Sequence, residues 1–415
     1  MSMKRRGAVQ LDTASLEHVF SFLSANDLVL AVKPLSKHFR EFVAARLEGE
    51  SCHVVAAADV PSWALPSLGL SSLTYEQKKA LMRTAAKGGC LQTLQWARGQ
   101  GYPLDRWVGQ AAAEGGHLAV LQWLKQEQCP WEYFSLQYAA AKSGHLEVLQ
   151  WALHWALQNG RTGASQVCSL AAASGKFELL QCARNYLCPW DTMTCAAAAG
   201  SGNLVMLQWA REHGCAWDAK TCKAAAAGGH MEVLQWAREQ GCPWDENTCS
   251  AAAGGGHMEV LKWAREQGCL WDAKTCSAAA ACGHLELLQW AHRRWCPWDV
   301  QACAEAAGGG HLAVLQWFRS NGCPWDANTC KAAAKGGHLA VLQWARQNGC
   351  DWDETICDCA AQEGHLEVLQ WARANGCPWT KGACEAAVAG GRLEVLQWLR
   401  SEGCPWDAET CAAAA

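Results

Sequence analysis

Self-similarity at a fixed period constrains this chain more than any other feature. A Leu-Gln-Trp triplet or its equivalent recurs, so that one slot is filled by Trp96, Trp123, Trp151, Cys182, Trp209, Trp236, Trp263, Trp290, Trp317, Trp344, Trp371 and Trp398. From Cys182 onward the interval is 27 residues without exception; the earlier intervals are 27, 28 and 31, the last widened by an insertion around 154–166. Such a period marks stacked supersecondary units that bury their apolar faces against one another. Stacking also accounts for a length of 415 residues, which is too great for one compact core.

The unit 245–271 reads as helix, tight turn, helix, loop. It opens on Asp245-Glu246-Asn247-Thr248, continues in an alanine-rich stretch to Ala253, and breaks at Gly254-Gly255-Gly256. A second segment runs over 257–267 and closes at Gly268-Cys269-Leu270-Trp271. Asp245 is a candidate N-cap, its carboxylate accepting an orphan N–H near Thr248. Glycine ends that helix, because a left-handed residue after it costs glycine little. Glu259 sits where the positive end of the second helix favours an anion.

The alanines let helices approach closely. Met258, Val260, Leu261, Trp263 and Ala264 spread apolar contacts around more than half of the second helix, which neighbouring copies must cover. A second tryptophan recurs in the loop, at Trp131, Trp190, Trp217, Trp244, Trp271, Trp298, Trp325, Trp352, Trp379 and Trp406. Full burial of one such ring would contribute roughly 4–6 kcal/mol before entropy, at about 25 cal/mol per Å². The tryptophans are therefore expected to cement the interfaces between units.

An alanine-rich helix followed by Gly-His-Leu-Glu-Val-Leu-Gln-Trp-Ala, as at 364–372, and closed by Gly376-Cys377, resembles the ankyrin repeat. The resemblance runs from 75 to 415. It implies an all-α, ankyrin-like helix-turn-helix solenoid of about twelve repeats. The family's Thr-Pro-Leu-His is replaced by a bare Thr-Cys, as at Thr221-Cys222, and each unit is about six residues shorter than the usual 33. The missing residues fall in the loop, so tight turns are expected where the family has projecting fingers. Ala412 to Ala415 fall just inside another alanine-rich stretch. Either the last helix pair tolerates exposure or the sequence is truncated.

Ahead of the solenoid the composition changes. Residues 9–47 carry Val19-Phe20-Ser21-Phe22-Leu23, then Asp27-Leu28 with Ala31, then Leu35-Ser36-Lys37-His38-Phe39-Arg40. This pattern is similar to an F-box, a small helical module that docks on the adaptor subunit of a cullin ubiquitin ligase. The resemblance implies that Phe20, Leu23, Leu28 and Leu35 contact the adaptor. The opening Leu-Pro of the family is represented only by Leu11-Asp12, and Pro34 falls where the last helix would form. A plain helical cap on the first repeat is the other reading. Residues 48–74, with Pro61, Pro66 and several serines, read as a connector.

Charge and cysteine content narrow the function. Lys plus Arg number 35 against 39 Asp plus Glu, a net charge of −4, so no strong field favours nucleic acid or an anionic membrane. No apolar signal core follows the first residues and no run of 18 apolar residues occurs, which points to cytoplasm or nucleus. There the 25 cysteines are expected to be buried free thiols. Pairs seven apart, such as Cys242 and Cys249 with His257 following, suggest zinc. Structural zinc, however, uses ligands two to four apart within each pair. The histidine slot also holds Lys176, Asn203, Arg392 and Cys90 in other units.

His257-x-Glu259 near Cys-Pro resembles part of the zinc deaminase signature, but the Cys-Pro order is reversed and His-x-Glu recurs at His145, His230, His284 and His365. No phosphate loop is present. Neither enzymatic activity nor a cofactor or metal is expected. A thiol-rich, metal- or redox-responsive protein stays as an alternative.

Fixed slots build the scaffold, so a partner is expected at slots that vary. In the first helix one such slot carries Arg83, Gln110, Tyr138, Ser169, Ala196, Lys223, Ser250, Ser277, Ala304, Lys331, Asp358 and Glu385. Four residues on, the same face carries Lys87, Glu114, Lys142, Lys335 and Gln362. The ankyrin resemblance implies that this face is concave and binds a protein. The expected stripe is Arg83, Lys87, Tyr138, Lys142, Lys223, Lys331 and Lys335, with an acidic end at Asp358 and Glu385, on a monomeric chain. The main functional expectation is a ubiquitin-ligase substrate receptor; a scaffold with a helical cap is the alternative.

Overall fold

The computed structural model describes residues 74–161, 163–164 and 166–405. Among them 24 helices follow one another in twelve pairs, with no strand. Phe20, Leu23, Leu28 and Leu35 lie outside the described residues, as does the connector up to residue 73. The chain divides into two compact units, Met1–Thr194 and Cys195–Ala415.

In the first unit the pairs are α1 (Tyr75–Lys87) with α2 (Leu91–Gly99), α3 (Arg106–Gly115) with α4 (Leu118–Gln126), α5 (Tyr133–Ser143) with α6 (Leu146–Gln158), and α7 (Val167–Ala173) with α8 (Phe177–Asn185). The second unit begins inside α9 (Thr192–Gly200), which is followed by α10 (Leu204–Glu212). Then come α11 (Ala219–Ala227), α12 (Met231–Glu239), α13 (Glu246–Gly254), α14 (Met258–Glu266), α15 (Ala273–Ala281) and α16 (Leu285–His292). The last eight are α17 (Val300–Gly308), α18 (Leu312–Ser320), α19 (Ala327–Lys335), α20 (Leu339–Gln347), α21 (Thr355–Glu363), α22 (Leu366–Ala374), α23 (Lys381–Ala389) and α24 (Leu393–Ser401).

The repeat 245–271 explains the others. Asp245 caps α13 by accepting from Asn247 N at 3.0 Å, one residue before the expected partner. Thr248, Cys249, Ala252 and Ala253 are fully buried, an i, i+1, i+4, i+5 stripe of small side chains. From α11 to α23 each first helix packs more closely on the first helices of neighbouring repeats than on its own second helix, as small side chains permit. The helix continues through Gly254. The left-handed residue is Gly256, at φ +73, with His257 N bonded to Ala252 O and Gly256 N to Ala253 O, a Schellman motif.

In α14 only Val260, Leu261 and Ala264 are buried; Met258 and Trp263 are half-exposed, so the covered arc is narrower than the sequence implies. The described tryptophans are likewise not fully buried. Each loop ring instead meets the helix ring of the next repeat edge-on, as Trp217 with Trp236 at 5.8 Å and Trp352 with Trp371 at 5.6 Å. In most repeats an arginine also lies over the loop ring, as Arg238 over Trp244 and Arg319 over Trp325, both at 4.1 Å. The full-burial figure therefore overstates what each tryptophan contributes. What holds the edge is an arginine–tryptophan–tryptophan stack.

The insertion in the third repeat lengthens α6 to 13 residues. The added Trp155 stacks on Tyr133 at 4.2 Å and on Trp151 at 5.7 Å. The loop then folds back so that Ala164 N donates to the buried Gln137 Oε1 at 3.0 Å.

Candidate partner-binding face

Before any residue can be assigned to a partner, those spent on the scaffold must be set apart. The histidine that begins each second helix makes no capping hydrogen bond. Its Nε2 instead reaches the preceding repeat: His257 lies 3.0 Å from Ala227 O, His311 3.0 Å from Ala281 O and His365 3.0 Å from Lys335 O. Arg392 Nε keeps the bond, donating to Gln362 O at 3.1 Å, and Lys176 Nζ donates to the nearby Gly144 O at 2.9 Å, whereas Asn203 accepts from Met206 N of its own helix. This explains the glycines beside it. A Cβ on Gly255 would lie 2.6 Å from the His257 ring and 2.7 Å from Ala227 O.

The cysteines are also scaffold. No disulfide joins those described, and the thiols that meet are 20 residues apart, where the sequence suggested seven. Cys222 bonds Cys242, Cys249 bonds Cys269, and the same holds for Cys330 with Cys350 and Cys357 with Cys377. The loop sulfur in turn lies 3.3 Å from a carbonyl at the start of its own repeat, as Cys269 to Asp245 O and Cys377 to Asp353 O. The thiol–thiol hydrogen bond and then burial push Cys222, Cys249, Cys330 and Cys357 far above the ordinary thiol range. Among the described residues no group of three or more His, Cys, Asp or Glu could hold a metal ion. No described helix is long and apolar enough to cross a membrane.

The varying slots of the first helices are only partly open to solvent, since Ala196, Ser277 and Ala304 are buried. In the first unit, Arg83 is ion-paired with Asp105, the N-cap of α3, with Nε 3.2 Å from Oδ2. Lys87 lies 3.6 Å from Glu114. Tyr138 is 40% exposed, and Lys142 is exposed. In the second unit, Lys223, Lys335 and Glu385 are exposed while Lys331 and Asp358 are half-buried. Glu385 pairs with Lys381 at 3.2 Å. Asp358 Oδ1 is buried without a hydrogen-bond partner, and burial, then Glu354, Glu385 and Asp353, push its carboxyl above the ordinary range while Lys331 opposes them.

On this face of the second unit, α17, α19 and α21 enclose an open groove of about 600 Å³. Ala304, Gly308, Ala332 and Gly336 form its floor, and Glu305, Lys335 and Glu363 bear its charges. Gln301 Nε2 holds Glu305 Oε1 at 2.6 Å, and Glu363 lies 3.9 Å from Arg392. Of the expected residues only Lys335 lines the groove. Glu305 and Glu363 were missed, although each replaces a residue that the neighbours keep small: Ala278 and Ala332 in one slot, Gly336 and Gly390 in the other.

The family model described as "Ankyrin repeats (many copies)" matches residues 330–373, about one and a half repeats. No curated protein matches. Among solved structures, the chain is similar to the human ASB11 ankyrin repeat domain at 18% identity, over 45% of this chain and 99% of that one, with a TM-score of 0.35. It is similar to the pentatricopeptide repeat protein PPR10 in complex with an 18-nt psaJ RNA element at 15% identity, over 94% and 64%, with a TM-score of 0.36. For PPR10 from maize the values are 12% identity, 94% and 75%, and 0.31. The chain is an all-α helical-repeat protein, and one stretch of it matches ankyrin repeats.

Proposed function

We propose that this chain is an ankyrin-like scaffold that binds a protein through the outer face of its first helices, with the α17–α19–α21 groove as the principal seat. The carrying observation is the groove itself: a floor of alanine and glycine on which a partner's backbone can lie close, between Glu305 and Glu363 on one hand and Lys335 on the other. Mixed charge on a chain of net charge −4 favours a protein over a polynucleotide, whose phosphates need a run of cations. Tyr138, Lys142, Lys223 and Lys331 extend the face. Arg83 and Lys87 contribute less, being engaged by Asp105 and Glu114.

The test is quantitative affinity capture from cell extract by the full chain and by the triple variant Glu305→Lys, Lys335→Glu, Glu363→Lys. The expected result is at least one protein whose recovery falls about tenfold with the variant while its Tm stays within a few degrees of wild type. Identical protein sets from both, or recovery of RNA in place of protein, would refute the reading.

A second reading rests on the F-box-like pattern at 19–40. In it Phe20, Leu23, Leu28 and Leu35 dock the adaptor of a cullin ligase and the repeats hold the substrate. Binding of purified adaptor that Leu28→Asp with Leu35→Asp abolishes would support it; no binding by folded chain would leave the scaffold alone.

A further inference from the structure

After the second helix most repeats end in Arg-x-x-Gly-Cys, as at Arg238 to Cys242, Arg265 to Cys269 and Arg319 to Cys323. The glycine is the left-handed residue of the turn, at φ +79 in Gly241, +83 in Gly268 and +78 in Gly322. The repeat closed by α16 reads His292-Arg293-Arg294-Trp295-Cys296 instead. Its hydrogen bonds are unchanged, with Trp295 N on His292 O at 3.0 Å and Cys296 N on Ala291 O at 3.1 Å. Trp295 is thereby held at φ +64, a conformation that its Cβ disfavours. The residue is 89% exposed, so its ring gains little from packing on the fold. Gln128 and Leu187 occupy the same slot in other repeats, but no pair of arginines precedes them.

Neither arginine occupies the usual arginine slot over the loop tryptophan. His292 takes the position over the loop tryptophan that arginine holds elsewhere, stacking on Trp298 at 4.1 Å and 8°. Arg293 and Arg294 replace residues such as Glu266 and Gln267 and are both exposed, Arg294 lying 4.6 Å from the Trp290 ring centroid. One repeat earlier, the slot that holds Pro243, Pro297 and Pro324 elsewhere carries Leu270, 71% exposed. Strain kept at an exposed aromatic is a mark of function, and tryptophan and arginine are the residues that dominate binding energy at protein interfaces.

We infer that the Arg293-Arg294-Trp295 loop, with Leu270 in the corresponding loop of the preceding repeat, is a second docking surface, separate from the first-helix groove, for an acidic amphipathic segment of a partner protein. Trp295 enters the apolar side of the segment, and the two guanidinium groups pair with its carboxylates. Two arginines give no extended field of the kind that a polynucleotide or an anionic bilayer would require.

The probe is a fluorescein-labelled helical peptide of glutamate, leucine and phenylalanine, titrated against the full chain beside the same peptide with lysine for glutamate. The acidic peptide is expected to bind saturably and the basic one not. Trp295→Gly should weaken binding at least about tenfold with a Tm no lower than wild type, because glycine relieves the backbone. Arg293→Glu with Arg294→Glu should weaken it comparably at unchanged Tm, and Glu305→Lys with Glu363→Lys should leave it unaltered. Several results would overturn the inference: no binding of the acidic peptide, equal affinity for both peptides, equal binding by Trp295→Gly, a fall in Tm for that variant, or loss of binding in the groove variant. Binding of single-stranded oligonucleotide or phosphatidylserine vesicles in place of the peptide would also overturn it.

Discussion

Two glycines of one repeat share a backbone conformation but not their surroundings, which makes them a test of the histidine ladder. Gly268, at φ +83, has nothing within 4 Å of a built Cβ, so Gly268→Ala carries only the left-handed penalty, about 1–2 kcal/mol. Gly256, at φ +73, would place its Cβ 2.6 Å from the His284 ring. That ring must then leave its 3.1 Å contact with Gly254 O, a further loss of about 1 kcal/mol, so Gly256→Ala should cost about 2–3 kcal/mol. With His284→Ala already in place the ring is gone, and the cost of Gly256→Ala should return to about 1–2 kcal/mol. Urea titration followed by circular dichroism gives the global value. Amide hydrogen exchange at Ala252 to His257 gives the local one, needed because long repeat arrays lose all-or-none cooperativity. Equal costs for Gly256→Ala and Gly268→Ala, or a Gly256→Ala cost that ignores His284, would refute the ladder.

Native alkylation with iodoacetamide, read by mass spectrometry, should mark the exposed Cys282 well before Cys129 or Cys188, whose thiols burial pushes up to about 12 and about 11. Because the Asp358 carboxyl is raised in the folded chain, the fold favours its protonated form, and the stability it contributes falls as pH rises above the unfolded carboxylate range, near about 3.9. Asp358→Asn should therefore raise stability at neutral pH, an advantage that urea titrations repeated at acidic pH should find diminished. Metal analysis of chain purified without added zinc should find well under one atom per chain, since the thiols meet in twos; stoichiometric zinc would restore the thiol-metal reading.

How much of this was legible in the sequence depended on whether a feature lay inside one repeat or between two. The period, the paired helices and the Asp245 cap are local and could be read directly. The histidine bond was not, because His257 and Ala227 are 30 residues apart and only stacking brings them together. The cysteines failed for a different reason: Cys242 and Cys249 are near along the chain but belong to successive repeats, whereas the helix-turn-helix returns Cys242 to Cys222 inside its own repeat. The size of the tryptophans suggests full burial between units, whereas the edge of the stack leaves them half-covered by arginine. Glu305 and Glu363 were visible as departures from the repeat, but their convergence on one groove required three first helices in register.

The central claim is that the first helices carry the partner, and the lysines of this chain can report it. A lysine-reactive cross-linker applied to the chain with its captured partner, followed by mass spectrometry, should place intermolecular links on Lys331 and Lys335 of α19. Links concentrated on Lys262 of α14 and Lys125 of α4, both in second helices, would contradict the account.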